Sequence, residues 1–236
     1  MLNMDKLNIK VIFFDIGSTL YEVKTYEKPK WATLVSLELG KLGYNIDYEE
    51  ILEAYKLARE DLKSIIIPVE LWHLAILSLM LNTLNIIPKP KIVRRVYKAF
   101  IKALAESFYI DPEALKVFTE LKDLGLRIGI ISNSSSDDVV YEVLLRDGLL
   151  SYVDVLVTSQ QVSWKKPNPR IFHYACKLAS VEPREAAHVG DDPYADVIGA
   201  KTAGLYAIQK LTINNKASPY ADYVIHKLSE LLDILT

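Results

Sequence analysis

From Asp111 onward the chain switches repeatedly between a helical and a strand-like pattern, and that alternation constrains its fold more than any other feature. Asp111 and Pro112 read as N-cap and first helical position of a segment that runs to Leu124 and stops at Gly125. The strand RIGIIS follows at once, then a helix over about 137–146, the strand VDVLVTS and a helix over 168–178. Next come the strand AAHVGD, a helix to Ala203 and the strand GLYAIQ, with YVIH as a short edge strand and 228–235 as a closing helix. Alternation of this kind predicts an α/β fold with a doubly wound parallel sheet.

One further strand stands far from the others. Residues 11–14, VIFF, are an unbroken apolar run rich in β-branched and aromatic side chains, as suits a central parallel strand covered on both faces. The run ends in Asp15 and a small-residue turn at Gly17 and Ser18. Taken alone, Asp15 reads equally well as a turn cap or as a functional carboxylate at the strand end where an α/β sheet places its chemistry.

Between this strand and the others the pattern is helical. Residues 21–30 are polar and contain Pro29, as a linker does, and 31–42 carry apolar positions at helical spacing up to Gly43. Asp47 with Glu50 three residues on is a capping-box signature for a second helix. Pro68 sits near the start of a very apolar third helix, and Pro88 and Pro90 separate it from a fourth over 91–107. The expected organisation is a discontinuous core, residues 1–22 and 110–236, interrupted by a smaller all-helical domain at 23–109 that sits over the strand ends as a cap.

Composition narrows the partners. With 28 basic and 30 acidic residues the formal charge is −2, so no global field favours nucleic acid or an anionic membrane, and a small molecule is the expected partner. Cys176 is the single cysteine, which excludes an intrachain disulfide and reads as a small buried residue on a helix. The N-terminus shows no signal-peptide pattern, so a cytoplasmic location is expected. The most apolar stretch, 71–87, is shorter than the roughly 20 residues that span a bilayer, and it contains His73, Asn82 and Asn85. Composition does not read out the oligomeric state.

Four short stretches lie at or just after predicted strand ends: DIGSTL (15–20), ISNS (131–134), KKPNPRIF (165–172) and VGDDPYAD (189–196). In order, spacing and the placing of a helical insert between the first two, they resemble the haloacid dehalogenase superfamily, over essentially the whole chain. The resemblance implies a Rossmann-like core and a hydrolase. It implies that Asp15 is the nucleophile, attacking phosphorus in most members and carbon in the dehalogenases; a carboxylate is already ionised at neutral pH and can do either. Ser132 and Asn133 match the motif whose hydroxyl and backbone N–H bind the phosphoryl oxygens, although 134–138 also offer helix caps. Lys166 matches the charge-neutralising lysine, both catalytic and substrate-binding. Asp191 and Asp196 match the acidic motif that, with Asp15 and the carbonyl of Gly17, holds Mg²⁺, a cation that prefers hard oxygen ligands; Asp192 is adjacent and stays an alternative.

The sequence departs from the phosphatase pattern at one position. Two residues after the nucleophile these enzymes carry a second aspartate, which protonates the leaving oxygen and then activates water; here stands Gly17. Such an acid–base group is typically worth about 10²–10⁴ in rate. A phosphatase without it is expected to favour substrates with good leaving groups and to let a phosphorylated enzyme accumulate. Substitutes could come from Ser18, or from His73, Arg94 or Arg95 in the insert. Dehalogenases lack the second aspartate too, so a 2-haloacid dehalogenase, or a weakly active relative that only binds phosphorylated ligands, is the alternative. The acidic pair favours the metal-dependent phosphatase, because metal-free dehalogenases have no use for it.

Overall fold

The computed structural model describes residues 8–24, 29–65, 72–213 and 215–235. Pro68 lies outside them, as does the middle of the polar linker at 25–28. The chain divides into two compact units: one made of Met1–Val23, Tyr109–Ser134 and Leu144–Thr236, the other of Lys24–Phe108 and Ser135–Val143.

The first unit is built on a six-stranded parallel sheet. Its strands are β1 (Val11–Phe14), β4 (Arg127–Ser132), β5 (Val155–Thr158), β6 (Ala186–Gly190), β7 (Tyr206–Lys210) and β8 (Tyr223–Ile225), in the order β5-β4-β1-β6-β7-β8. The sequence's isolated first strand is therefore central, pairing Phe14 with Ile130 on one side and Val189 on the other. All four of its residues are fully buried. Because side chains alternate across a strand, Val11 and Phe13 join the core beneath α7 (Ser159–Val162), α8 (Pro169–Leu178) and α9 (Gly199–Ala203). Phe14 meets Phe118 of α5 (Ala114–Asp123), ring centroids 5.1 Å apart. Chain order reverses at β1, which makes its carboxyl end the switch point where such sheets bind ligands. Cys176 is buried in this core and its thiol is pushed up to about 12, by burial and then by Glu182, which leaves it inert.

The second unit is helical: α1 (Lys30–Gly40), α2 (Tyr48–Ile65), α3 (His73–Thr83) and α4 (Pro90–Ala105), joined by the start of α6 (Asp137–Arg146). The capping box forms as expected, Asp47 Oδ1 accepting from the Glu50 N–H at 2.8 Å and Glu50 Oε2 from the Asp47 N–H at 3.0 Å. The apolar faces close on a core that includes Val35, Leu39, Ile51, Leu77, Met80 and Phe100. Among the described residues no helix is long and apolar enough to cross a membrane.

Three local expectations need correction. The polar segment after β1 contains a strand, β2 (Tyr21–Val23), which forms a two-stranded sheet with β3 (Phe108–Ile110); its pairing partner is far away in sequence, so no local pattern reveals it. Asp111 and Pro112 stand ahead of α5, which starts at Ala114 and not at Pro112: Asp111 Oδ1 caps the opening turn by accepting from the Glu113 N–H at 2.9 Å, while its Oδ2 accepts from Lys210 Nζ at 2.6 Å. The segment after β6 is not one regular helix. It opens with a widened turn, Pro193–Ile198, in which the Val197 N–H reaches back five residues to the Asp192 carbonyl at 3.2 Å before α9 begins. Such wide turns cluster at functional sites.

Candidate active site

Every residue singled out in the four motifs lies at or just beyond the carboxyl end of β1, β4 or β6, or in the loop before α8. Asp15 follows directly on β1, and its own N–H donates to the Val189 carbonyl of β6 at 2.9 Å. The turn behind it is closed by the Ser18 N–H to the Tyr21 carbonyl at 2.7 Å and the Tyr21 N–H to the Ile16 carbonyl at 2.8 Å. Ser18 is left with φ +57°, a conformation that costs a non-glycine residue about 1 kcal/mol or more.

Lys166 is the hub. Its ammonium has three protons and three acceptors: Asp15 Oδ1 at 2.5 Å, Asp196 Oδ1 at 2.6 Å and the Ile131 carbonyl at 2.9 Å. It is 5% exposed, so these bonds lie in a low-dielectric setting where a charge needs all of them. The backbone of Lys166 is fixed as well. Asn133 Oδ1 accepts from its N–H at 2.8 Å, and Asn133 Nδ2 donates to its carbonyl at 3.1 Å. The Asn133 side chain is thus a bracket for Lys166, and what it leaves free is its own backbone N–H, which has no acceptor among the described residues. The Ser132 hydroxyl, 5% exposed at the end of β4, likewise makes no hydrogen bond to a described residue.

Asp196 is the second anchor. Oδ1 accepts from Lys166 and from His188 Nε2 at 2.8 Å, and Oδ2 accepts from the Asp192 N–H at 3.0 Å. Its close seat depends on Gly190, where an added Cβ would fall 2.2 Å from the Asp196 carboxyl carbon. His188 was not anticipated from the sequence. It sits on β6, 1% exposed, edge-on to Phe172, and burial before all else holds its imidazole below the usual histidine range. The signal available was a histidine inside an otherwise apolar strand, three residues before the acidic motif, which only a buried acceptor would tolerate.

One oxygen from each of Asp15, Asp191 and Asp196 lies within 4.8 Å of the others. Three carboxylates here face one ammonium. Burial first, and then Asp196, push Asp15 up to about 7 against the pull of Lys166. Asp191 rises to about 6 through burial and repulsion from Asp196, opposed by a hydrogen bond from Asn215. Burial works to raise Asp196 too, but Lys166 and His188 prevail and hold it well below the ordinary carboxylate range. Excess buried negative charge of this kind suits a divalent cation. The Gly17 carbonyl accepts no hydrogen bond from a described residue, so it too is available as a hard oxygen ligand. Asp192 is outside the group; its Oδ1 caps the next turn, accepting from the Tyr194 and Ala195 N–H groups at 2.7 and 2.8 Å.

The other residues weighed from sequence are placed elsewhere. His73 packs edge-on against Phe100 in the helical core, and Arg95 is paired with Glu38, its Nε 2.6 Å from Oε1. Arg94 is exposed and lines a groove of about 340 Å³ with Tyr97, Lys98 and Tyr141 of the helical unit. At position 17 a Cβ would meet nothing within 4 Å, so the missing acid leaves open space and not a filled one.

Comparison with known proteins places this geometry in context. A model of the haloacid dehalogenase-like hydrolases matches residues 9–204. The chain is 30% identical to a glyceraldehyde 3-phosphate phosphatase of Pyrococcus furiosus over 96% of its length and 93% of that protein's. It is 27% identical to a ribulose-1,5-bisphosphate 5-phosphatase of Halopiger xanaduensis over 95% and 98% of the two chains. Among solved structures, a HAD phosphatase from Thermococcus onnurineus superposes with a TM-score of 0.65 at 27% identity, covering 96% of this chain and 98% of that one. A 2-haloacid dehalogenase from Pseudomonas syringae gives 0.68 at 23% identity, covering 96% and 98%, and shares the fold.

Proposed function

Because the chain belongs to the haloacid dehalogenase-like hydrolase family, we propose that it is a Mg²⁺-dependent phosphatase of a small phosphorylated metabolite, working through an aspartyl phosphate on Asp15. The observation that carries this reading is the group of Asp15, Asp191 and Asp196 within 4.8 Å, with Lys166 bridging two of them. The relatives named as phosphatases of a triose phosphate and a pentose bisphosphate make sugar phosphates the first substrates to test. The site favours this chemistry over dehalogenation, because Asp191 has no task in a metal-free reaction and is costly to hold near two other carboxylates.

Asp15, Asp191 and the Gly17 carbonyl would hold the ion, with Asp196 behind them. When bound there, Mg²⁺ would supply neutralisation of the negative charge that the carboxylates and a phosphoryl group bring together. The chain's own groups do the rest. A carboxylate oxygen of Asp15 attacks phosphorus and the ester P–O bond breaks, the electron pair leaving with the alcohol oxygen. The Ser132 hydroxyl and the Asn133 N–H receive the negative oxygens of the transferring group, while Lys166, whose three protons are already taken, contributes its positive charge beside them, an electrostatic arrangement fixed before the substrate arrives. Water then attacks the same phosphorus, the bond to Asp15 breaks and the carboxylate is restored. With glycine at position 17 no side chain there delivers the first proton or removes the second, so solvent water protonates the departing alcohol oxygen and takes up the proton that the attacking water loses. We assign the helical segment 24–108 the part of a substrate-selecting cap, on the family's chain order, and a cytoplasmic location to the protein.

A panel of sugar, aryl and acyl phosphates and 2-haloacids, assayed with Mg²⁺ and again with chelator, tests the proposal. Phosphate release that requires Mg²⁺ and drops by a factor on the order of 10⁴ or more in Asp15→Asn is expected. Halide release that survives chelation would replace it with the dehalogenase reading. Rapid-quench labelling should also trap phosphate on the enzyme during turnover of an aryl phosphate.

A further inference from the structure

The end of β7 and the loop after it reach the acidic motif through two amide side chains, those of Gln209 and Asn215, that no sequence motif contains. Asn215 Nδ2 donates to the Asp191 carboxylate oxygen Oδ2 at 2.9 Å and to the Asp191 carbonyl, also at 2.9 Å. The two protons of one amide therefore go to two oxygens of the same residue. Gln209, fully buried at the register position opposite Gly190, holds this loop in place. Its Nε2 donates to the Lys216 carbonyl at 3.1 Å and the Asp191 carbonyl at 3.3 Å, while its Oε1 accepts from the Ser218 N–H at 2.6 Å.

A loop that needed only fastening would be served by bonds to main-chain atoms, which Gln209 already makes. Asn215 does something else: it fixes the side-chain torsion of Asp191. Tying down Oδ2 sets the plane of the carboxylate and leaves Oδ1 as the oxygen with no partner among the described residues. A carboxylate oriented this way loses less rotational freedom on taking a cation, which is why the partners of metal ligands contribute to affinity. We propose that Asn215 is a positioning residue for the metal ligand Asp191, presenting Oδ1 to Mg²⁺. This rests on the reading of Asp191 as a ligand given above.

The test is calorimetric titration of MgCl₂ into the full-length wild-type protein and into Asn215→Ala and Asn215→Leu, the second of which keeps the volume without the donors. Both variants should bind Mg²⁺ about 10–100-fold more weakly. Activity on p-nitrophenyl phosphate should recover as Mg²⁺ is raised, to a plateau close to wild type, a split that mere loosening of the loop would not produce. Wild-type affinity in both variants would overturn the role of Asn215 and leave the metal site standing. Failure of the wild-type protein to bind Mg²⁺ would overturn the metal reading and this inference with it.

Discussion

At the level of single residues, the site is a small electrostatic device assembled around one lysine. Removing Lys166 would leave Asp15 and Asp196 buried with no counter-charge, so Lys166→Ala is expected to lose both turnover, by about 10²–10³, and stability, by about 3–5 kcal/mol. Steady-state kinetics and urea unfolding of the same sample check the two together. Gly17 offers a gain instead of a loss. Since a Cβ there meets nothing within 4 Å, Gly17→Asp should restore an acid–base group and raise kcat for poor leaving groups by up to about 10²-fold. The discriminating measurement is the ratio of sugar phosphate to p-nitrophenyl phosphate turnover, which should rise; an unchanged ratio would show that proton transfer at this position limits neither step.

At the level of elements, two short segments do work that their lengths do not suggest. The widened turn at Pro193–Ile198 brings Asp196 back against Gly190, where there is no room for a Cβ. Gly190→Ala should therefore displace Asp196 from Lys166 and His188 and cut kcat by about 10² or more, with the fold retained by circular dichroism. The capping box of α2 is a contrasting case, remote in chain position from every motif. Asp47→Ala removes one of its two reciprocal bonds and should cost about 1 kcal/mol, or about 2–4 °C in Tm for a chain of this size, with kcat unchanged.

At the level of the whole molecule, stability and metal binding are linked through protons. Asp15 and Asp191 titrate at about 7 and about 6 instead of their ordinary 3.8. A carboxyl raised on folding makes the metal-free fold hold more protons than the unfolded chain between those values. Its contribution to stability is therefore greatest at low pH and is lost as pH climbs through that window. His188 is held below its ordinary range and acts in the opposite direction below about pH 6.5. The rise in Tm caused by Mg²⁺ should accordingly grow from pH 5 to pH 8, as fewer protons have to be displaced. At 100 times its dissociation constant the ion should then add about 2.7 kcal/mol. A Mg²⁺-induced shift that is independent of pH would mean that the ion binds away from these carboxyls.

What the amino-acid sequence determined by itself is what local periodicity and short spacing can encode. The alternation after Asp111 specified a parallel doubly wound sheet, the run at 11–14 specified its central strand, and four short motifs specified the ends of strands where chemistry belongs. Side-chain period and turn chemistry are properties of neighbouring residues, so they are legible without coordinates. What only the tertiary structure decided is how shared acceptors are divided. Asp191, Asp192 and Asp196 are indistinguishable in one acidic run, yet one is tied by Asn215, one caps a turn, and one is fully occupied by Lys166, His188 and a backbone N–H. The same holds for His188, for Asn215, and for the pairing of β2 with β3, each of which depends on a partner brought near by folding and not by spacing. A carboxylate has a few lone pairs and a lysine three protons, and which groups take them is settled by distance in space.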